Sequence, residues 1–157
     1  MQLLITKYLD KKNVIKYIRN NGTETWMYSD DFFVLHDLSH FALEKTLGYT
    51  TAFMGMVNNG TSIQDFEDRV TRNKLTITKE ALYAENMANL FLMETVQGNF
   101  TNLNEVIKQA HEAVTTNCPA PVLTEENITN IRTTLRHLIS TWRRLPAGKT
   151  LQLEYII

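Results

Sequence analysis

Leu151-Gln152-Leu153-Glu154-Tyr155-Ile156 alternates from one side chain to the next, the period-2 pattern of a strand with one buried face. Leu151, Leu153 and Tyr155 should share that face. A lone strand leaves its backbone donors and acceptors unpaired, so this one needs partners. The other strand-like segments lie at the opposite end of the chain. Residues 2–9 and 14–19 are rich in Leu, Ile, Val and Tyr, with the turn-like Asp10-Lys11-Lys12-Asn13 between them. Asn21-Gly22 then leads into a third segment, 24–28, and that dipeptide suits the two positive φ angles of a type I′ hairpin. The expected sheet is antiparallel, built from three N-terminal strands and the C-terminal one.

Between these ends, residues 35–145 read as helical. A first helix runs from near Leu35 to Leu47 and stops at Gly48, a natural residue just past a helix end. A short helix over 52–58 is closed by Gly60, and Ser62 with Asp65 three residues on forms a capping-box variant. Thr78 caps a helix over 79–97, Asn102 with Glu105 opens another to about 115, and Pro119 and Pro121 break it. Thr124 caps the last, 125–145, with a buried stripe of Ile128, Ile131, Leu135, Leu138, Ile139 and Trp142. The fold class is therefore α+β: a small antiparallel sheet packed with a mainly helical bundle, in one domain over 1–157.

Composition narrows the function. Sixteen Lys and Arg against seventeen Asp and Glu give a net charge of −1, without the basic excess that nucleic acid or an anionic membrane surface demands. The single Cys118 allows neither an internal disulfide nor a thiolate metal motif. No apolar run approaches the roughly 20 residues of a membrane span, and the N-terminus lacks signal-peptide character. The expected location is the cytoplasm. The Asn-x-Thr sequons at Asn21, Asn59, Asn99 and Asn127 read as turn and cap chemistry. Phosphate loops, dinucleotide fingerprints, nucleophile elbows and paired C-x-x-C are all missing from the sequence.

Chemistry concentrates in His36-Asp37-Leu38-Ser39-His40-Phe41-Ala42-Leu43-Glu44. On a helix, His36, His40 and Glu44 advance by only about 40° per step and fall along one stripe. Leu43 and Leu47 share that stripe, while Leu35, Leu38 and Ala42 lie opposite, so the helix is apolar nearly all round and should be buried. Buried imidazoles need partners. Three readings stay open. His36 and His40 can bind a divalent ion such as Zn, Fe or Mn, as the similar H-E-x-x-H pair does, with a carboxylate or water completing the shell. They can form a metal-free catalytic or ligand-binding pair oriented by Asp37 or Glu44. They can be a structural hydrogen-bond network near a helix start.

A third ligand should come from another helix. Glu85 lies on 79–97 between Leu82, Leu92, Met93 and Val96, and a carboxylate on an apolar face wants a cation, a metal or a His. With a metal bound, a water of lowered pKa would be the nucleophile of a hydrolysis, and Asp37 or Glu44 its proton acceptor. Of the remaining histidines, His111 flanks an apolar stripe that could border a pocket, and His137 should face water. The arginine row Arg132, Arg136 and Arg143 reads as a solvated face. Phe53-Met54-Gly55-Met56 reads as core first and as a pocket wall second. Exposed Phe32 or Phe33 would favour a homo-oligomer; other partners would be a small molecule or a protein, with nucleic acid and membrane disfavoured.

The run from Phe33 to Glu44, followed by Leu47-Gly48, Ala52-Phe53-Met54-Gly55 and Gly60 with Asp65-Phe66, resembles a family of small uncharacterised bacterial proteins. Its members carry an H-D-L-[ST]-H-[YF]-x-V-E-like segment after a short N-terminal sheet. Trp142-Arg143-Arg144-Leu145-Pro146-Ala147-Gly148 through Leu153 is similar to that family's W-x-x-L-P-x-G-x-x-L-x-L close. His36, Asp37, His40 and Glu44 match the motif, and Leu43 stands where Val is usual. The resemblance implies the fold outline and the importance of the motif, and it implies no reaction.

Overall fold

The computed structural model describes all residues except 68, 69, 71, 72, 116 and 157. Its sheet consists of β1 (Gln2–Thr6), β2 (Asn13–Ile18), β3 (Glu24–Ser29) and β4 (Thr150–Glu154), antiparallel in the order β3-β2-β1-β4. The register aligns apolar side chains across the strands: Ile5 lies opposite both Ile15 and Leu151, and Leu3 opposite both Tyr17 and Leu153. Leu3, Ile5, Ile15 and Tyr17 are fully buried, whereas Trp26 and Tyr28 on the other face of the sheet are exposed. One covered face is what period-2 alternation demands. Leu151 and Tyr155 are buried and Leu153 is half-buried, as expected of residues on a shared face.

The first strand stops three residues short of its apolar run, and the second begins and ends one residue earlier than expected. Past Thr6 the chain is tied by a side chain, with Tyr8 N donating to Asn13 Oδ1 at 3.0 Å. The β2–β3 turn also differs from the expected type I′. Gly22 has φ of 83°, but among the described residues none other than glycine has a positive φ, so Asn21 does not supply the second one. Gly22 N donates to Arg19 O and Arg19 N to Thr23 O, which makes Asn20-Asn21-Gly22 a three-residue loop with glycine at its left-handed end.

Six helices follow among the described residues: α1 (Asp31–Leu47), α2 (Phe53–Asn58), α3 (Ile63–Glu67), α4 (Lys79–Gln97), α5 (Leu103–Val114) and α6 (Glu125–Arg144). The side chains of Thr78, Asn102 and Thr124 accept the capping bonds expected of them, and Gly48 ends α1 at φ 66°. Helix α1 begins one turn earlier than its apolar pattern, because Asp30 accepts from Phe33 N and Asp31 complements the helix dipole. It packs against both α4 and α6, and every residue from Asp37 to Glu44 is buried.

Helix α4 turns inward the side of Met87, Leu90 and Phe91 and not the side on which Glu85, Met93 and Val96 lie. Ala84, Met87, Ala88, Phe91 and Glu94 are buried, while Met93 and Val96 are exposed. The small Ala84 and Ala88 admit close approach of α1, where Ser39 Oγ donates to Ala88 O at 2.7 Å. Buried Glu94 receives a two-pronged bond from Arg132 on α6, at 2.8 and 2.7 Å, so this arginine is not part of a solvated face. Arg136 bonds Asn99, and His137 is exposed. Phe32 and Phe33 at the start of α1 are both exposed. No helix among the described residues is long and apolar enough to cross a membrane.

Candidate functional site

Helical spacing stacks His36 and His40 on one side of α1, with ring centroids 4.7 Å apart. Both face Glu85 of α4: His36 Nε2 lies 3.5 Å from Glu85 Oε1 and His40 Nε2 lies 3.3 Å from Glu85 Oε2. Glu85 is half-exposed, not buried in an apolar face, because α4 is rotated as described. Among the described residues, His36, His40 and Glu85 form a group of three metal-capable side chains, each offering an atom within 4.8 Å of the others. The two imidazoles approach different oxygens of Glu85, and both contacts, 3.5 and 3.3 Å, lie within the roughly 4.4 Å that two metal–ligand bonds of about 2.0–2.2 Å can span.

His40 is the pivot. Its ring is 2% exposed, and its Nδ1 donates to Glu44 Oε1 at 2.8 Å. Glu44 is wholly buried, and its second oxygen accepts from Met54 N at 2.9 Å, at the start of α2. With Nδ1 committed, Nε2 is the nitrogen turned toward Glu85 and His36. That atom is buried and has no hydrogen-bond partner, since the Glu85 oxygen at 3.3 Å is misaligned for one. Burial alone would lower the imidazolium pKa, but the carboxylates of Glu44 and Glu85 more than offset it and raise it to about 10. The two imidazoles in turn hold the Glu85 carboxyl well below the usual range.

Asp37 completes the cluster from a different direction. It is buried, and Tyr17 of β2 donates to its Oδ2 at 2.7 Å. Burial pushes its carboxyl pKa up, only partly countered by the tyrosine bond and the nearby imidazoles. Burial and the Asp37 charge likewise push the Tyr17 hydroxyl up. The sequence reading missed Tyr17; its alternation marks it as inward-facing, but the Asp37 contact depends on how the sheet meets α1.

A cavity of about 460 Å³ opens beside these groups, with His36, Asp37, His40 and Glu85 among its lining residues. Phe53 and Met56 of α2 are part of its wall, while Met54 between them is core. Glu44 is not among the lining residues. Buried His111 lies elsewhere, with Nε2 2.9 Å from Cys118 O. The arrangement thus brings together His36, Asp37, His40 and Glu85 at a cavity, with Glu44 behind His40.

No curated protein and no solved structure matched the chain. A family model described as a family of unknown function (DUF5460) matches residues 5–139, which takes in the end of β1, all of β2 and β3, the HDLSH helix and α4. The chain belongs to that family of unknown function.

Proposed function

We propose that His36, His40 and Glu85 bind a divalent transition metal and that the site supports hydrolysis. The observation that carries this reading is the buried, unbonded Nε2 of His40, whose other nitrogen is fixed by a carboxylate. Metal-binding histidines commonly donate their second N–H to a carboxylate, which orients the ring and sharpens its basicity. Glu44 is placed to do this. Two nitrogens and one carboxylate oxygen suit Zn, Fe or Mn and leave a position for water, whose pKa a Zn ion lowers to about 7. Asp37 shares the cavity and has a raised pKa, so it is the residue we assign as proton acceptor. Glu44, the other expected acceptor, serves to orient His40. We place this activity in a single-domain cytoplasmic protein.

A structural reading has its own support, because Glu85 meets both imidazoles without an ion. The two readings part on metal content. Untagged protein should carry close to one equivalent of Zn²⁺ or a similar ion by elemental analysis. Glu85→Ala and His36→Ala, which change half-exposed and partly exposed side chains, should lose the ion with little change in Tm. His40→Ala is the poorer probe, since it strands a buried Glu44 carboxylate and should destabilise the fold by a few kcal/mol. Protein that neither carries an ion nor takes one up from Zn²⁺ solution, with variants that lower only Tm, would establish the structural network instead.

A further inference from the structure

The cavity is chemically lopsided. Its polar groups are His36, Asp37, His40 and Glu85, and most of its remaining wall is apolar, including Phe33, Phe53, Met56, Phe66, Ile77 and Leu82. Phe53 ties the two regions together: its ring centroid lies 5.2 Å from that of His40 and 5.0 Å from that of Phe66. No Lys or Arg is among the described residues lining it. Phosphates and other polyanions are ordinarily held by Arg forks or Lys charges. Here the carboxylates of Asp37 and Glu85 would repel them.

We infer that this cavity binds an elongated apolar molecule ending in a single uncharged oxygen-bearing head group, such as an acyl chain on an ester or amide, with the head at the His36–His40–Glu85 end. The apolar body is set by the wall, and the single head by the small size of the polar end. The cavity of about 460 Å³ bounds the size of that body. That size falls within the usual range for ligand pockets. The polar end of this inference rests on the metal reading, whereas the apolar end stands without it.

Two ligand series separate those ends. Straight-chain 1-alkanols from butanol to decanol, titrated into metal-free protein, test the apolar wall alone. Affinity should rise about fourfold for each added methylene, equivalent to about 0.8 kcal/mol, until the cavity is full. Straight-chain hydroxamic acids from two to ten carbons, titrated into Zn²⁺-loaded protein, should show the same slope with every member bound more tightly than its alkanol counterpart. Ala81→Trp places a bulky ring in the cavity from α4, one helical turn before Glu85. In metal-free protein it should cut off the gain beyond the short alkanols while leaving the circular dichroism spectrum unchanged. Should Zn²⁺ fail to load, the metal reading falls, and a persistent alkanol slope still supports the apolar site. An alkanol affinity independent of chain length, or an undiminished slope in a folded Ala81→Trp variant, would overturn the inference.

Discussion

Glu44 has both carboxylate oxygens committed, one to His40 Nδ1 and one to Met54 N, and neither faces the cavity. Its effect is therefore on the orientation and charge of His40. Glu44→Gln keeps the size of the side chain but removes the charge that helps to hold the imidazolium pKa near 10. In metal-free protein the His40 titration, followed by NMR of the ring protons, should move down toward the ordinary histidine range. Zn²⁺ affinity in a chelator competition should weaken by about 10–100-fold, the usual loss when a carboxylate partner of a metal-bound histidine is removed. A His40 titration unchanged in this variant would show that Glu44 does not control the ring. The His36, His40 and Glu44 row was legible in the sequence because one helix's periodicity fixes it. Tyr17 on Asp37 was not, since that bond crosses from sheet to helix and reflects docking rather than local spacing.

Helix α2 connects that row to the cavity, and Gly55 decides its position. A methyl group on Gly55 would overlap the backbone carbonyl of Thr50, so the helix sits where only glycine fits. Gly55→Ala should displace α2, freeing Met54 N from Glu44 and moving Phe53 away from His40. The expected loss is about 1–3 kcal/mol in urea unfolding, the range for an overpacked buried site, together with weaker metal binding. Unchanged urea stability in Gly55→Ala would contradict this tight contact. Element boundaries were largely readable, because Thr78, Asn102, Thr124 and Gly48 carry their own capping chemistry. Which face of α4 turns inward was not. Ala84 and Ala88 are weakly hydrophobic, yet their small size is what lets α1 approach. The same rotation buries Glu94 under Arg132, a pairing that binds α4 to α6 across 38 residues of chain.

At the scale of the whole molecule, the site couples folding to pH, and the direction depends on whether a metal is present. His40 is faced by His36, Asp37 and Glu44 along α1, by Glu85 from α4, and by the Tyr17–Asp37 pair at the sheet. Its folded pKa, about 10, exceeds the ordinary value of 6.5. The protonated ring thus stabilises the metal-free fold fully below pH 6.5, and that contribution declines as pH rises toward 10. The slope can reach at most about 1.4 kcal/mol per pH unit for one proton. Glu80 and Glu85 act in the opposite direction: their pKa values are lowered, so their contribution is complete above about 4.5 and is lost on further acidification. Asp37, whose pKa is raised, acts in the same direction as His40, so metal-free protein should lose stability as pH rises above about 6.5. Metal binding requires the neutral His40 ring, so loading releases its proton and gains strength with pH. Melting curves recorded from pH 6 to 8.5, with and without saturating Zn²⁺, should therefore diverge: Tm falls in metal-free protein, while the increment from Zn²⁺ grows with each step. Parallel curves, with a Zn²⁺ increment independent of pH, would mean that the ion does not displace a proton from His40 and binds elsewhere.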